Sequence, residues 1–148
     1  MLAEILELLT NANDEWYVTY DEAKDMNRRA DMIERDKGFA YVEEYKMRTL
    51  DLSGYVPAQR TSLTIYFCRF VNYPSEAVER EAVRALILRE IVYPFVELYN
   101  ASGHFEPCDS WVLTDVTPSD ARFDANETGI KLTFTAVERS LCTPPHFD

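Results

Sequence analysis

Apolar and polar residues alternate along the stretch that precedes the C-terminal tail. Ile130, Leu132, Phe134 and Ala136 fall on one face of an extended segment, and the residues between them are mostly polar. The preceding run, 122–129, is polar and ends at a glycine. The pattern predicts a turn ending at Gly129 and a strand from Ile130 to Glu138.

A second stretch is apolar or aromatic on both faces. Arg60 to Val71 reads Arg-Thr-Ser-Leu-Thr-Ile-Tyr-Phe-Cys-Arg-Phe-Val, which is typical of a strand inside a sheet that is covered on both sides. β-Branched and aromatic residues predict the remaining strands at Trp16–Tyr20, Phe39–Leu50 and Trp111–Val116.

Two further segments carry helical periodicity. Leucine and isoleucine recur on one stripe in residues 2–9, before the Asn11-Ala-Asn13-Asp14 cluster that ends this helix. A longer helix begins after the N-cap candidate Ser75 and has apolar residues at three- and four-residue spacing. Pro94 cannot donate a backbone hydrogen bond, so we expect an end or a kink near Tyr93. The apolar residues Phe95, Val96, Leu98 and Tyr99 allow another turn or two of helix, until Ser102-Gly103 stops it.

These elements predict an α+β fold. We expect a mainly antiparallel sheet of four or five strands, with the long helix, about 75–93, packed on one face and a short N-terminal helix. Residues 1–142 are expected to form a single domain, and 143–148, with two prolines, a frayed tail. The polar segment 21–37 predicts a loop with at most a turn or two of helix.

Charge and composition exclude several classes of function. The net charge of −11 disfavours a nucleic-acid-binding face, which needs clustered Lys and Arg. No apolar run approaches the roughly 18 residues that span a bilayer, and the acidic start predicts no signal peptide. Cys68, Cys108 and Cys142 lie far apart, which predicts reduced thiols in a cytoplasm.

Two candidate metal sites are incomplete. Asp124, Asn126, Thr128 and Gly129 match the first half of a calcium loop, but position twelve is Thr135 where a bidentate Glu is needed. His104 and Cys108 have no second ligand pair for zinc. A turn and a loop histidine explain these residues more simply.

A weak enzyme hypothesis remains open on the same part of the chain. Asp109 and Asp115 have even spacing on a predicted strand and could form an acid/base pair, with His104 nearby. Solvated carboxylates at a sheet edge are the simpler interpretation. No Gly-rich phosphate loop and no Gly-x-Ser-x-Gly motif is present. The residues therefore assign no catalytic, cofactor-binding or metal-binding position.

The layout of the chain resembles the small tail-terminator or tail-completion (minor tail) proteins of long-tailed bacteriophages and prophages. The resemblance covers most of the chain but involves no invariant motif, and the acidic segment 21–38 departs from the more compact members. It is carried by four features: the opening Met-Leu-Ala-Glu-Ile-Leu-Glu-Leu-Leu, the strand Arg60–Val71, the helix opened by Pro74-Ser75-Glu76, and the late Phe-Asp-Ala-Asn-Glu-Thr-Gly-Ile-Lys-Leu-Thr-Phe-Thr.

The resemblance implies a non-enzymatic virion structural protein, present in the host bacterial cytoplasm during assembly. Such a protein forms a ring, possibly a hexamer, at the end of the tail tube, stops tube growth and joins tail to head. Its partners would be copies of itself, the tail tube and head-completion proteins. Tyr41 and Tyr45 could contribute to the contacts between copies or belong to the core. The alternative is a head–tail connector or another intracellular protein–protein adaptor of the same fold class.

Overall fold

The computed structural model shows an α+β protein. It describes residues 1–21, 38–43, 48–51, 58–70, 77–108, 110–116 and 127–139. Its helices are α1 (Leu2–Ala12), α2 (Ala77–Ile87) and α3 (Tyr93–Ala101), with a π-helical segment (Leu88–Val92) between the last two. Its strands are β1 (Tyr17–Asp21), β2 (Gly38–Glu43), β3 (Arg48–Asp51), β4 (Ala58–Phe70), β5 (Val112–Val116) and β6 (Glu127–Val137).

The strands form one mixed, mainly antiparallel sheet in the order β1-β2-β4-β6-β5. β3 also pairs with β4, on the side that β2 occupies, so β2 and β3 share one position and the sheet is five strands wide. The exception to antiparallel pairing is β1, which runs parallel to β2. The predicted fold class is confirmed.

The predicted strand Phe39–Leu50 corresponds to β2 and β3. From the pair Val42–Ile65 to the pair Arg48–Thr61, the residue number changes by six from β2 to β3 but by only four along β4. The difference is two residues, which preserves the alternation of faces, because side chains in a strand alternate with a period of two. Residues 44–47, which include Tyr45, lie outside the described residues.

β4 lies inside the sheet and is covered on both faces, as its sequence predicts. Leu63, Ile65 and Phe67 are buried on the face that packs against the helices. Tyr66 and Cys68 are buried on the other face, with Phe39, Tyr41 and Val116. We call these the helix face and the opposite face.

The prediction that a turn ends at Gly129 is wrong, because β6 already begins at Glu127. Gly129 lies within the sheet between Cys68 of β4 and Val116 of β5. A Cβ atom at this position would overlap the carbonyl oxygen of Phe67. The glycine is therefore explained by the close approach of β4, which composition alone does not distinguish from a turn.

Beyond the expected end or kink near Tyr93, the long helix continues to Ala101, which agrees with the predicted further turn or two before Ser102-Gly103. It accommodates Pro94 through a wider, π-helical turn. The backbone N–H of Tyr93 donates to the carbonyl of Leu88, five residues earlier, in place of the usual four. The wider turn accommodates the proline, whose ring would clash with the carbonyl four residues before it. Phe95 and Tyr99 continue the buried stripe, and their burial favours further helix.

α1 closes the core from the N-terminal side. Its buried residues are Ile5 and Leu9, which confirms the predicted apolar stripe. Beyond α3, a cluster of aromatic rings fills the other end of the helix face. In this cluster Tyr99 stacks on Phe105 with ring centroids 4.7 Å apart, and Trp111 lies 4.6 Å from Phe134.

Several predictions concern residues outside those described. They are the Ser75 helix cap, the loop assigned to 22–37, and the frayed tail at 143–148.

Candidate assembly surface

His104, the histidine considered for zinc or catalysis, lies in a segment that pairs with the end of β6. Its carbonyl accepts a hydrogen bond from the backbone N–H of Arg139 at 2.9 Å, and Phe105 forms a bridge with Glu138. Its Nε2 lies 3.2 Å from a carboxylate oxygen of Glu138. Cys108 instead lies beside the aromatic cluster, where its backbone carbonyl accepts a hydrogen bond from the indole N–H of Trp111 at 2.8 Å.

The structure does not bring His104 and Asp115 together. Asp115 pairs with Ile130, whereas the segment containing His104 pairs with Glu138, eight residues further along. At ~3.3 Å per residue the two positions are about 26 Å apart. Asp109 lies outside the described residues. The hypothetical pocket joining these three residues is not assembled.

The carboxylates near His104 already hold a cation. The N-terminal ammonium lies 2.8 Å from Glu4 and 3.6 Å from Glu138. The ammonium group lowers the pKa of Glu4, and hydrogen bonding to Glu4 raises the pKa of the N-terminal amine. Within the part of the chain that the structure describes, no group of three His, Cys, Asp or Glu residues is arranged to hold a metal ion.

The described residues of the candidate calcium loop, Thr128 and Gly129, lie in a strand and do not form a loop. Thr128 lies in β6, and its hydroxyl donates a hydrogen bond to the carbonyl of Val116 at 3.2 Å. Asp124 and Asn126 lie outside the described residues. A separate polar depression follows α1 and is lined by Thr10 to Glu15, away from any residue proposed for chemistry.

The most unusual feature of the surface is the edge strand β5. Within the described residues it pairs on one side only, with β6. Its first four residues are exposed, including Val112 at 57% and Leu113 at 46%. It contains no Lys or Pro, two devices that commonly protect an edge from pairing with another chain.

β5 is nevertheless linked to α2 at its other end. Arg84 of α2 is buried and donates a hydrogen bond to the carbonyl of Val116 at 3.4 Å. Its Nε lies 3.7 Å from Asp115, and its Nη1 bonds Glu81 at 2.7 Å. A buried guanidinium tied to both a helix and a strand holds β5 in place. The sequence gives no signal for this role of Arg84.

The opposite side of the sheet also ends in exposed apolar side chains. β1 is the last strand of the described sheet on that side, and its Tyr17 is 43% exposed. Leu50 of β3, on the same side, is 60% exposed. Both sides of the described sheet thus carry exposed apolar side chains, but Thr19 in the middle of β1 is buried.

Tyr41, which the sequence offered as a contact residue or a core residue, belongs to the core. It is fully buried on the opposite face, and its ring stacks on that of Tyr66 with centroids 6.1 Å apart. It is therefore unsuited to contact another copy directly.

No helix in the described ranges has the length and apolar character needed to cross a membrane. Comparison with known proteins adds no relative: no protein-family model matches the chain, and no curated protein matches it.

Proposed function

We propose that this protein is a non-enzymatic assembly module of the phage tail-terminator type. In this proposal copies of the chain form a ring at the end of a tail tube, stop its growth and join the tail to the head. The observation that carries the proposal is the edge strand β5, which within the described residues pairs on one side only and exposes Val112 and Leu113.

The exposed apolar side chains of β5 lie on the other side of the described sheet from those of Tyr17 and Leu50, which suits a ring. A contact between unlike surfaces is head-to-tail, and repeated head-to-tail contacts close into a ring when the rotation between copies allows it. The resemblance to tail-terminator proteins adds the place of the ring, the end of a tail tube. The separation of His104 from Asp115 supports a role without catalysis at those residues.

The acidic charge is compatible with this role. A net charge of −11 disfavours adhesion to DNA, whose phosphates are also negative. A ring through which DNA passes would benefit from such a surface.

The direct test is an assay of tube growth. Purified chain is added to tail-tube protein that polymerises in vitro, taken from the phage or prophage that encodes the chain. We expect shorter tubes that carry a ring at one end in negative-stain electron micrographs. Tubes of unchanged length with bare ends would contradict the proposal.

The second candidate is an adaptor that binds another protein through one sheet edge. It is favoured by the same exposed strand β5, which needs only one partner strand. Neighbouring genes separate the two candidates. Capsid, portal and tape-measure genes beside this gene favour the virion role, whereas an operon of host genes favours the adaptor.

A further inference from the structure

Two connections in this chain join parallel strands of the sheet. β4 is antiparallel to β6, and β6 is antiparallel to β5, so β4 and β5 are parallel to each other. They are joined through the long helix, whose buried residues Ile87, Phe95 and Tyr99 belong to the core of the helix face. β1 and β2 are also parallel. They are joined by residues 22–37, which lie outside the described residues and which we call the β1–β2 connection.

The direction of the strands determines on which face each connection passes. A connection between parallel strands of one sheet is right-handed in about 98% of cases. Both connections advance across the sheet in the same direction, from the β1 side towards β5. The strands that they join point in opposite directions, because β2 is antiparallel to β4. Two connections of the same hand must then pass on opposite faces of the sheet.

The long helix occupies the helix face. We therefore infer that the β1–β2 connection crosses the opposite face and covers the cluster formed there by Phe39, Tyr41, Tyr66 and Cys68. The occupant of this face is thus a segment of the same chain, and not another copy or a different protein.

Burial supports a cover on this face. Its four core residues are at most 1% exposed, although none of the described helices packs against them. The buried apolar residues of the described helices all belong to the core of the helix face. A sheet face without a second layer would leave aromatic rings such as Tyr41 and Tyr66 open to solvent. Their exposure is that of a single copy, so the cover belongs to the chain itself.

The burial along one row of the opposite face locates the cover. From β1 to β5 the neighbouring residues in this row are Thr19, Tyr41, Tyr66, Lys131 and Thr114. The first three are buried, Lys131 is half-buried and Thr114 is exposed. The cover therefore lies over β1, β2 and β4, the side of the sheet on which the β1–β2 connection begins and ends. The connection between β5 and β6, at the other side, does not account for this gradient.

The β1–β2 connection has the length and the sequence pattern that this position requires. A connection between parallel strands takes about a dozen residues or more, which 22–37 provides. Apolar residues recur within it at spacings of three and four, the pattern of a helical stripe: Ala23, Met26, Ala30 and Ile33. Most of the residues between them are charged. An apolar stripe suits contact with the buried aromatic face, and the charged residues suit solvent.

Nuclear Overhauser contacts test the position of the connection without changing the sequence. The protein is labelled at the methyl groups of Met, Ile and Val. We expect the methyl groups of Met26 and Ile33 to contact the ring protons of Tyr41 or Tyr66. The methyl group of Met1, which packs against the core of the helix face, is the control and should contact neither ring.

Two results would overturn the inference. Tyrosine rings at 41 and 66 that contact neither methyl group would show that another segment covers this face. Contacts of Met26 and Ile33 with Val18, which packs on the helix face, would show that the connection passes on the same side as the long helix.

The reactivity of Cys68 provides a second readout. In a Cys108→Ser/Cys142→Ser background it is the remaining thiol. Ile33→Ser should speed its reaction with a maleimide at least about tenfold, because a weakened cover opens locally more often. The matched control is Val83→Ser, which removes an apolar contact from the helix face. At equal thermal stability the control should change the rate within about twofold, since it leaves the cover intact.

Equal acceleration by Ile33→Ser and Val83→Ser would contradict a cover formed by the β1–β2 connection. Both experiments use the single chain and require no assembly. Their failure would therefore leave the proposed ring untouched, and failure of the ring would leave the position of the connection untouched.

Discussion

Gly129 shows how one residue without a side chain can determine the spacing of a sheet. It is buried between Cys68 and Val116, and any Cβ would overlap the Phe67 carbonyl. Gly103 is a contrasting case. Its φ of 74° requires the left-handed region, but there is nothing within 4 Å of the position that a Cβ would take. The first glycine is needed for space and the second for conformation.

Gly129→Ala should therefore be the more costly change. We expect a loss of ~1–3 kcal/mol in the free energy of unfolding, because backbone atoms of β4 cannot move aside as a side chain can. Gly103→Asn should change it by less than about 0.5 kcal/mol, since Asn tolerates the left-handed region. Urea denaturation measures both. A Gly129→Ala variant as stable as Gly103→Asn would contradict the packing argument.

At the scale of elements, a residue just after α1 compensates for the hydrogen bond that the proline removes from the long helix. Pro94 has no N–H to donate to the carbonyl of Glu90, four residues earlier. That carbonyl accepts a hydrogen bond from the side-chain amide of Asn13, at 3.3 Å, just after α1. The Glu90 carboxylate in turn pairs with Arg69 of β4 at 3.3 Å. The π-helical turn is thus tied to both α1 and the sheet.

The link between Asn13 and Pro94 can be measured as a coupling energy. Asn13→Ala should cost about 1 kcal/mol of stability, the usual value of a hydrogen bond. In a Pro94→Ala background the backbone N–H of residue 94 is restored and can bond to the Glu90 carbonyl. Asn13→Ala should then cost at least ~0.5 kcal/mol less than it does in the parent chain. Asn11→Ala, at an exposed position of α1, is the control. Equal costs of Asn13→Ala in both backgrounds would show that the amide does not compensate for the proline.

The elements differ in how much of their structure the sequence predicts. The alternation in Ile130–Ala136 and the double-faced run of β4 depend on local periodicity, and both are confirmed. The continuation of the helix beyond Pro94 also follows from local signals, the apolar residues at 95–99 and the Ser102-Gly103 stop, whereas the π-helical turn at Leu88–Val92 does not. The predicted start of β6 is too late along the chain, because a glycine such as Gly129 is typical both of a turn and of a place where two strands approach closely.

The assembly surface was the least predictable part. Val112-Leu113 is apolar on both faces, a pattern that favours a covered strand, yet both residues are exposed at the sheet edge. Whether a strand lies at an edge depends on distant pairing, here of β5 with β6 alone among the described strands. The parallel pairing of β1 with β2 is likewise a matter of topology. The positions of the two edge strands therefore come from the structure.

At the scale of the whole molecule, copies must associate against their own charge. Each copy carries a formal charge of −11, and repulsion between copies weakens as salt screens it, with a Debye length of ~8 Å at physiological ionic strength. Mutual repulsion suits a protein that assembles fully only when it meets its target.

Sedimentation velocity of the purified chain, over a range of protein and salt concentrations and with tail tubes added, tests this account most directly. The account predicts monomer of 17.2 kDa and one closed multiple of it, with few species between, and a ring fraction that rises with salt or with tubes. A chain that stays monomeric in every condition, or that grows without limit into open polymers, would contradict it.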